Sequence, residues 1–270
     1  MDSLTDRLTL RRSVTFSLLT SAVAAVTLLF FTSATFADPA GPPAELPAFG
    51  IRINDHGEGP PVVINPPGLE IAENRFRFEG EHGSPGVGRW HIEWDVEVNP
   101  DPFVFASLII SNNLPIDQEF TINMPLSINP SIQGGTLIGG SFSGVLQERT
   151  ADTATLSLLG GANPPPLYSA LIDGNVVHTL FDNPGSITVA QPFETMPFGP
   201  GNFGTPIPSL LGPDEANSTI DIELNFTLSA NDSVTFSGVF VVEPVPEPST
   251  ITLAALGLLG LLGIRRRRTA

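Results

Sequence analysis

The 270-residue chain holds 28 acidic residues against 12 basic ones, all of them Arg, for a formal charge of −16, and it contains no Cys. A polyanion of this kind repels nucleic acid and anionic lipid, and attracts divalent cations or basic surfaces. Without Cys there is no thiol catalysis, no Cys-ligated zinc and no disulfide, so any staple must come from packing or a metal.

At the amino end, Arg7, Arg11 and Arg12 precede an apolar stretch from Val14 to Phe31, and Thr35-Phe36-Ala37 precedes Asp38. A basic start, an apolar middle and a small-residue site make residues 1–37 a secretory signal peptide with a signal helix. Ser17, Thr20, Ser21 and Thr27 interrupt the apolar stretch, which favours a cleaved signal over a permanent anchor. Little of the wider twin-arginine signal surrounds Arg11 and Arg12, so general secretion is expected.

The exported part, 38–244, is long enough for one substantial core or two small ones. It opens with a proline-dense lead over 38–69, including Pro42-Pro43, Pro60-Pro61 and Pro66-Pro67. Proline at this density blocks helix and central strand, so the lead is expected to be extended on the surface, with a short strand at Pro61 to Asn65. From Ile71 the period becomes two. Phe76 and Phe78 alternate with Arg75, Arg77 and Glu79. Trp90, Ile92, Trp94, Val96 and Val98 alternate with Arg89, His91, Glu93, Asp95 and Glu97. These are two half-buried strands, joined through the turn-rich Gly80 to Gly88, with Arg75 and Arg77 facing the row of Glu93 and Asp95.

Further strands are expected at Phe103 to Ile110, Glu119 to Met124, Gly135 to Leu146, Thr153 to Leu159, Leu167 to Ile172, Val176 to Phe181 and Ser186 to Val189. Asp173-Gly174 between two apolar runs signals a hairpin. Pro192 to Asp214, with six Pro and four Gly, reads as a long surface loop. Beyond it, Ile222, Leu224, Phe226 and Leu228 alternate, Asn231-Asp232 turns the chain, and Val234 and Phe236 resume the pattern through Val242, as a last hairpin. No stretch between the termini keeps a helical period. The 70–244 region is therefore expected to be an all-β domain, an antiparallel β-sandwich or jelly roll.

Candidate chemistry is sparse. His91, Glu93 and Asp95 share a strand face at intervals of two, and a metal could use His91 with a carboxylate if adjoining strands add ligands; a solvated face is the simpler reading. Asp95, Glu97, Asn99 and Asp101 offer oxygen ligands of the kind calcium takes, without the spacing of an EF-hand loop. Trp90 and Trp94 would make a carbohydrate platform if their face were open, and core if Phe76 and Phe78 pack on it. His56 and His82 look like loop residues and His178 lies in a strand. No phosphate loop, dinucleotide fingerprint, HExxH helix or nucleophile elbow is present. No catalytic residue is assigned, and the expectation is a protein that is not an enzyme and needs no cofactor, calcium excepted.

The chain ends with Pro246-Glu247-Pro248, an apolar run from Ile251 to Ile264, and Arg265, Arg266, Arg267 and Arg268. Fourteen helical residues rise about 21 Å against a hydrocarbon core of about 30 Å, so the run spans a bilayer as a transmembrane helix only with help from snorkelling Arg and flanking residues. Four Arg after the run fit a cytoplasmic end, leaving the body outside. Val245 to Thr250, the Leu- and Gly-rich run and the Arg cluster together resemble the sorting signal of PEP-CTERM proteins, over about residues 245–268 only. The resemblance implies recognition by an exosortase, an integral-membrane cysteine protease, with removal of the tail. It also implies delivery to the cell surface or extracellular polysaccharide matrix of a Gram-negative, biofilm-forming bacterium. The expected role is structural or adhesive. The alternatives are a carbohydrate- or calcium-binding module and a secreted hydrolase whose site is assembled across strands.

Overall fold

The computed structural model describes residues 46–57, 59–183 and 185–246, and among them there is no helix. In chain order the strands are β1 (Ile51–Asn54), β2 (Val62–Ile64), β3 (Gly68–Ala72), β4 (Arg75–Ser84), β5 (Val87–Asn99), β6 (Phe103–Asn112), β7 (Gln118–Ser127) and β8 (Thr136–Gln147). They continue with β9 (Ala154–Ser157), β10 (Tyr168–Ile172), β11 (Asn175–Leu180), β12 (Ser186–Val189), β13 (Thr195–Phe203), β14 (Leu210–Leu211), β15 (Thr219–Leu228) and β16 (Ser233–Pro244). The all-β, antiparallel reading of the sequence is what the described residues show. The signal helix and the C-terminal span lie outside them. Among the described residues, no helix is long and apolar enough to cross a membrane.

Two sheets share these strands. One runs β11-β10-β15-β7-β1-β2, with β9 joined to β15 and carrying β12; the other runs β13-β8-β16-β6-β5-β4-β3, with β14 on β8. Period-two alternation sets the inner faces: from Gln118 to Ser127 every second residue of β7 is buried, and β16 repeats the pattern from Val234 to Val242. Ile122, Met124, Leu224 and Phe226 of the first sheet join Leu108, Phe142, Phe236 and Phe240 of the second in one core. Rings bridge the sheets, with Phe142 and Tyr168 at 5.0 Å between centroids. Full burial of each such side chain stabilises the fold by about 1.5–3 kcal/mol. Burial also drives the Tyr168 phenol well above its usual range.

Three sequence expectations need correction. The last two strands are not a hairpin: β15 pairs with β7 and β10 in one sheet, while β16 pairs with β6 and β8 in the other. Their apolar faces look at each other across the core, so alternation alone could not separate an arch from a hairpin. Pro192 to Asp214 is not a plain loop, because β13 and β14 both pair with β8. Edge position tolerates Pro197 and Pro200 in β13, and its irregular register falls between Phe198 and Gly201. Phe203 and Phe198 lie against Gly140 and Gly144 of β8, where any Cβ would collide with the rings. The proline-dense lead, finally, supplies β1, which pairs with both β2 and β7 and buries Ile51 and Ile53. The short strand expected around Pro61 to Asn65 is β2.

The Asp173-Gly174 signal is answered by a tight turn from β10 to β11, with Ile172 opposite Asn175 and φ of 50° and 76° at the two turn residues. Positive φ at both is the type I′ geometry that matches strand twist. The Asp173 carboxylate also accepts from the backbone N–H groups of Asn217, Ser218 and Thr219 and from the Ser218 hydroxyl, fastening the loop before β15 to the turn.

Candidate cation-binding clusters

Strands β4 and β5 hold most of the residues singled out in the sequence. They extend further than the alternation of Phe76 and Phe78 suggested, meeting at Ser84 opposite Val87, so that Pro85-Gly86 alone makes the turn. Proline followed by a residue of positive φ, here 69° at Gly86, suits a type II turn. The longer hairpin sets Glu79 opposite Asp95 and Glu81 opposite Glu93.

On the outer face the charges pair diagonally. Arg77 donates from Nε to Asp95 Oδ1 at 2.8 Å and from Nη2 to Asp95 Oδ2 at 2.6 Å, and Arg75 pairs with Glu97. The hydrogen bonds from Arg77 hold the Asp95 carboxyl below its usual range, and Asp95 in turn raises the guanidinium. Asn99 Oδ1 accepts from the Asp101 backbone N–H at 3.0 Å, a local turn. Asp95 and Glu97 are thus each held by an Arg of the neighbouring strand, while Asn99 turns back on the chain to Asp101.

Trp90 and Trp94 point into the molecule. They are 8% and 6% exposed, as core residues are, and neither ring offers a stacking face to a sugar. Trp94 lies over Gly80, whose missing Cβ leaves it room. Trp90 donates from Nε1 to Asp55 Oδ2 at 3.1 Å, the same oxygen that Arg89 Nε reaches at 2.8 Å. Partial burial acts to raise the Asp55 carboxyl, but the Gly57 amide, Arg89 and Trp90 outweigh it and lower it. Arg89 and Asp55 therefore clip the end of β5 to the loop after β1.

His91 departs from expectation in the opposite sense. It occupies an outer-face position between Arg89 and Glu93, yet its side chain is only 2% exposed. Glu81 on β4 and Glu93 on β5 flank it, with Nε2 3.4 Å from Glu81 Oε2 and Nδ1 3.8 Å from Glu93 Oε1. One ligand atom from each of the three residues lies within 4.8 Å of the others. Glu81 is the residue that sequence reasoning missed, because Gly80 to Gly88 read as the turn. Taking Pro85-Gly86 as a two-residue turn would have carried β4 as far as Ser84, but the register shift between His82 and Ser84, which sets Glu81 opposite Glu93, leaves no signal in the alternation.

A second cluster joins Glu148, Asp152 and Asp232 at the far end of β8, with the first and last buried. Here the oxygens have partners. Glu148 accepts from the backbone N–H groups of Thr150 and Phe193, each at 2.5 Å. Asp232 accepts from Ser229 Oγ at 2.5 Å and the Arg149 N–H at 3.2 Å. Burial, helped by the neighbouring Asp152 and Glu148 charges, nevertheless pushes the Asp232 carboxyl up. The arrangement ties the turn after β15 to the end of β8. Of the other His, His56 Nε2 sits 3.0 Å from Thr121 Oγ1, and His178 stacks on Phe203 at 4.2 Å between centroids.

At the other end of the hairpin system, β16 finishes at Pro244, and Val245 donates its N–H to Gly135 O at 3.1 Å. Pro246 is exposed, while Glu247, Pro248 and Arg265 to Arg268 lie outside the described residues. Residues 244–268 match the family model of the PEP-CTERM protein-sorting motif. No curated protein matches the chain. The matched span starts on the last residue of the last strand, and it marks the chain as carrying a PEP-CTERM sorting motif, that of an exported bacterial protein sorted to the cell surface by a membrane-bound exosortase.

Proposed function

We propose that this chain is a non-catalytic structural or adhesive component of the cell surface or extracellular matrix, delivered as a prefolded acidic β-sandwich and set there by exosortase processing. The observation that carries the reading is the abutment of sorting motif and fold: the matched span begins at Pro244, where β16 ends. A body closed off at the motif reaches the membrane as one folded unit. Its polyanionic surface suits a hydrated polysaccharide matrix, in which charge keeps the protein soluble and divalent cations link it to other polyanions. A Gram-negative, biofilm-forming source and a polysaccharide partner belong to this proposal.

The experiment compares the full chain with a form lacking Pro246 to Arg268 in an exosortase-bearing host, by fractionation and by protease treatment of intact cells. The truncated form is expected to be lost to the medium or periplasm, and a strain without the gene to make a weaker matrix. Unchanged surface retention of the truncated form overturns the route. Unchanged matrix cohesion overturns the role.

A further inference from the structure

We propose that Glu81, His91 and Glu93 form a binding site for a divalent transition cation of the zinc class, open on one side to the outer groove of the β4-β5 hairpin. The acids alone would not justify a site. His91 supplies the second observation: its side chain is 98% withdrawn from solvent, and Nε2 has no hydrogen-bond partner among the described residues. A buried ring nitrogen left without a partner is costly, by the same reasoning that makes unmade buried hydrogen bonds costly. Nε2 nonetheless lies 3.4 Å from a carboxylate oxygen, in a direction that makes no hydrogen bond.

That spacing is what two ligands of one metal show. Bonds of about 2.0–2.1 Å to nitrogen and oxygen, opened to a tetrahedral angle, set the two ligand atoms about 3.3 Å apart. Glu93 is directly opposite Glu81 in the ladder and two residues from His91 on the same strand, so all three side chains rise from one patch of sheet. The backbone hydrogen bonds of β4 and β5 fix that patch, while the two carboxylates, 66% and 48% exposed, are free to close on an ion.

The donor set chooses the metal. One imidazole and two carboxylates suit zinc and its late first-row neighbours; calcium asks for six to eight oxygens and magnesium for a largely hydrated octahedron. Asp95, the next acid on the strand, is held by Arg77 and stays outside the set. Three protein ligands leave a fourth position facing the groove lined by Gly80, Trp94, Asp95, Ser107 and Ile109, where water or an anionic group can enter. The competing reading of the same geometry is an unliganded ring held in place by packing alone.

Zinc titration of the purified full chain, carried on a histidine-free tag at pH 7.5 and followed by calorimetry and by histidine 15N NMR, separates the two. One zinc per chain is expected, with a shift at a His91 ring nitrogen and no displacement by millimolar calcium. Glu81→Gln and Glu93→Gln should each weaken binding at least tenfold without moving the metal-free thermal midpoint. Asp152→Asn, in the other acidic cluster, should leave binding unchanged. Absence of a one-to-one zinc complex, full binding by Glu81→Gln, or loss of binding in Asp152→Asn overturns the proposal. Because both glutamates are exposed, their variants fold even where a change at buried His91 does not.

Discussion

Phe226 and Phe236 meet edge to face, with centroids 5.0 Å apart and planes at 66°, although one belongs to β15 and the other to β16 in the opposite sheet. The chain between them turns over the end of the core as an arch. Asn231 takes a φ of 59° there and donates its N–H to Leu114 O, while Asp232 holds Ser229 and Arg149. Phe120 stacks on Phe226, and Phe142 on Phe236, so the pair is the centre of a ring cluster drawn from both sheets. Phe236→Ala should cost about 3–5 kcal/mol, since the surrounding strands cannot collapse into the space. Urea unfolding at constant m-value measures it, and a loss below 1 kcal/mol would mean that the sheets are not packed through these rings.

Asp173 contributes to stability on the acid side. Partial burial raises its carboxyl, but the Asn217, Ser218 and Thr219 donors outweigh that and bring it down to about 2, from an ordinary 3.8. A depressed acid adds stability that is present above pH 3.8 and is lost as pH falls towards about 2. Asp173→Ala is expected to remove about 1–3 kcal/mol at pH 7 and to flatten the profile between pH 4 and pH 2. Thermal midpoints taken across that range decide it; parallel curves for both proteins would count against the four-donor clasp.

Asp221 acts with the opposite sign. Burial, reinforced by Glu223 and only partly offset by the Met124 N–H at 2.7 Å, pushes its carboxyl up to about 7. The folded chain then binds a proton that the unfolded chain has released, so stability falls as pH rises from about 4 through 7. Asp221→Asn keeps the acceptor for Met124 and removes the charge. It should gain roughly 1–3 kcal/mol at pH 8 and nothing at pH 3.5. Equal gains at both pH values would show that the effect is not ionisation.

Gly144 of β8 is hemmed by β13 and β16. An added Cβ would meet the Phe198 ring and would stand 2.8 Å from Thr235 O, a backbone atom that cannot step aside. Gly144→Ala should therefore destabilise by about 1–3 kcal/mol and free the edge strand β13 before the rest unfolds. Hydrogen exchange on Thr195 to Phe203 reads this directly, and unchanged protection there would refute it.

Strand class and most strand positions were legible because a two-sided sheet writes its pattern at period two, as in Trp90 to Val98 and Ile222 to Leu228. The Asp173-Gly174 turn was legible because only certain residues take its backbone angles. Partnering was not. The alternation of β15 and β16 is the same whether the strands pair with each other or face each other, and choosing needs the positions of β6, β7 and β8. β13 escaped notice because Pro197, Gly199, Pro200 and Gly201 obscure its pattern at a sheet edge, where aromatic contact with Gly140 and Gly144 substitutes for alternation. His91 read as a solvated residue because its strand position faces outward, and alternation did not carry β4 far enough to set Glu81 beside it. Pairing of Arg77 with Asp95 was foreseen in kind.

Strand β16 lies inside its sheet, flanked along nearly its whole length by β6 and β8, and the sorting motif follows from its end. Tension applied at that tail runs lengthwise down the strand and meets two hydrogen-bonded ladders in shear. Bonds strained in that direction must give way together rather than one after another, as they would in a strand peeled from an edge. Tethered by this end, the body would hold its shape under flow.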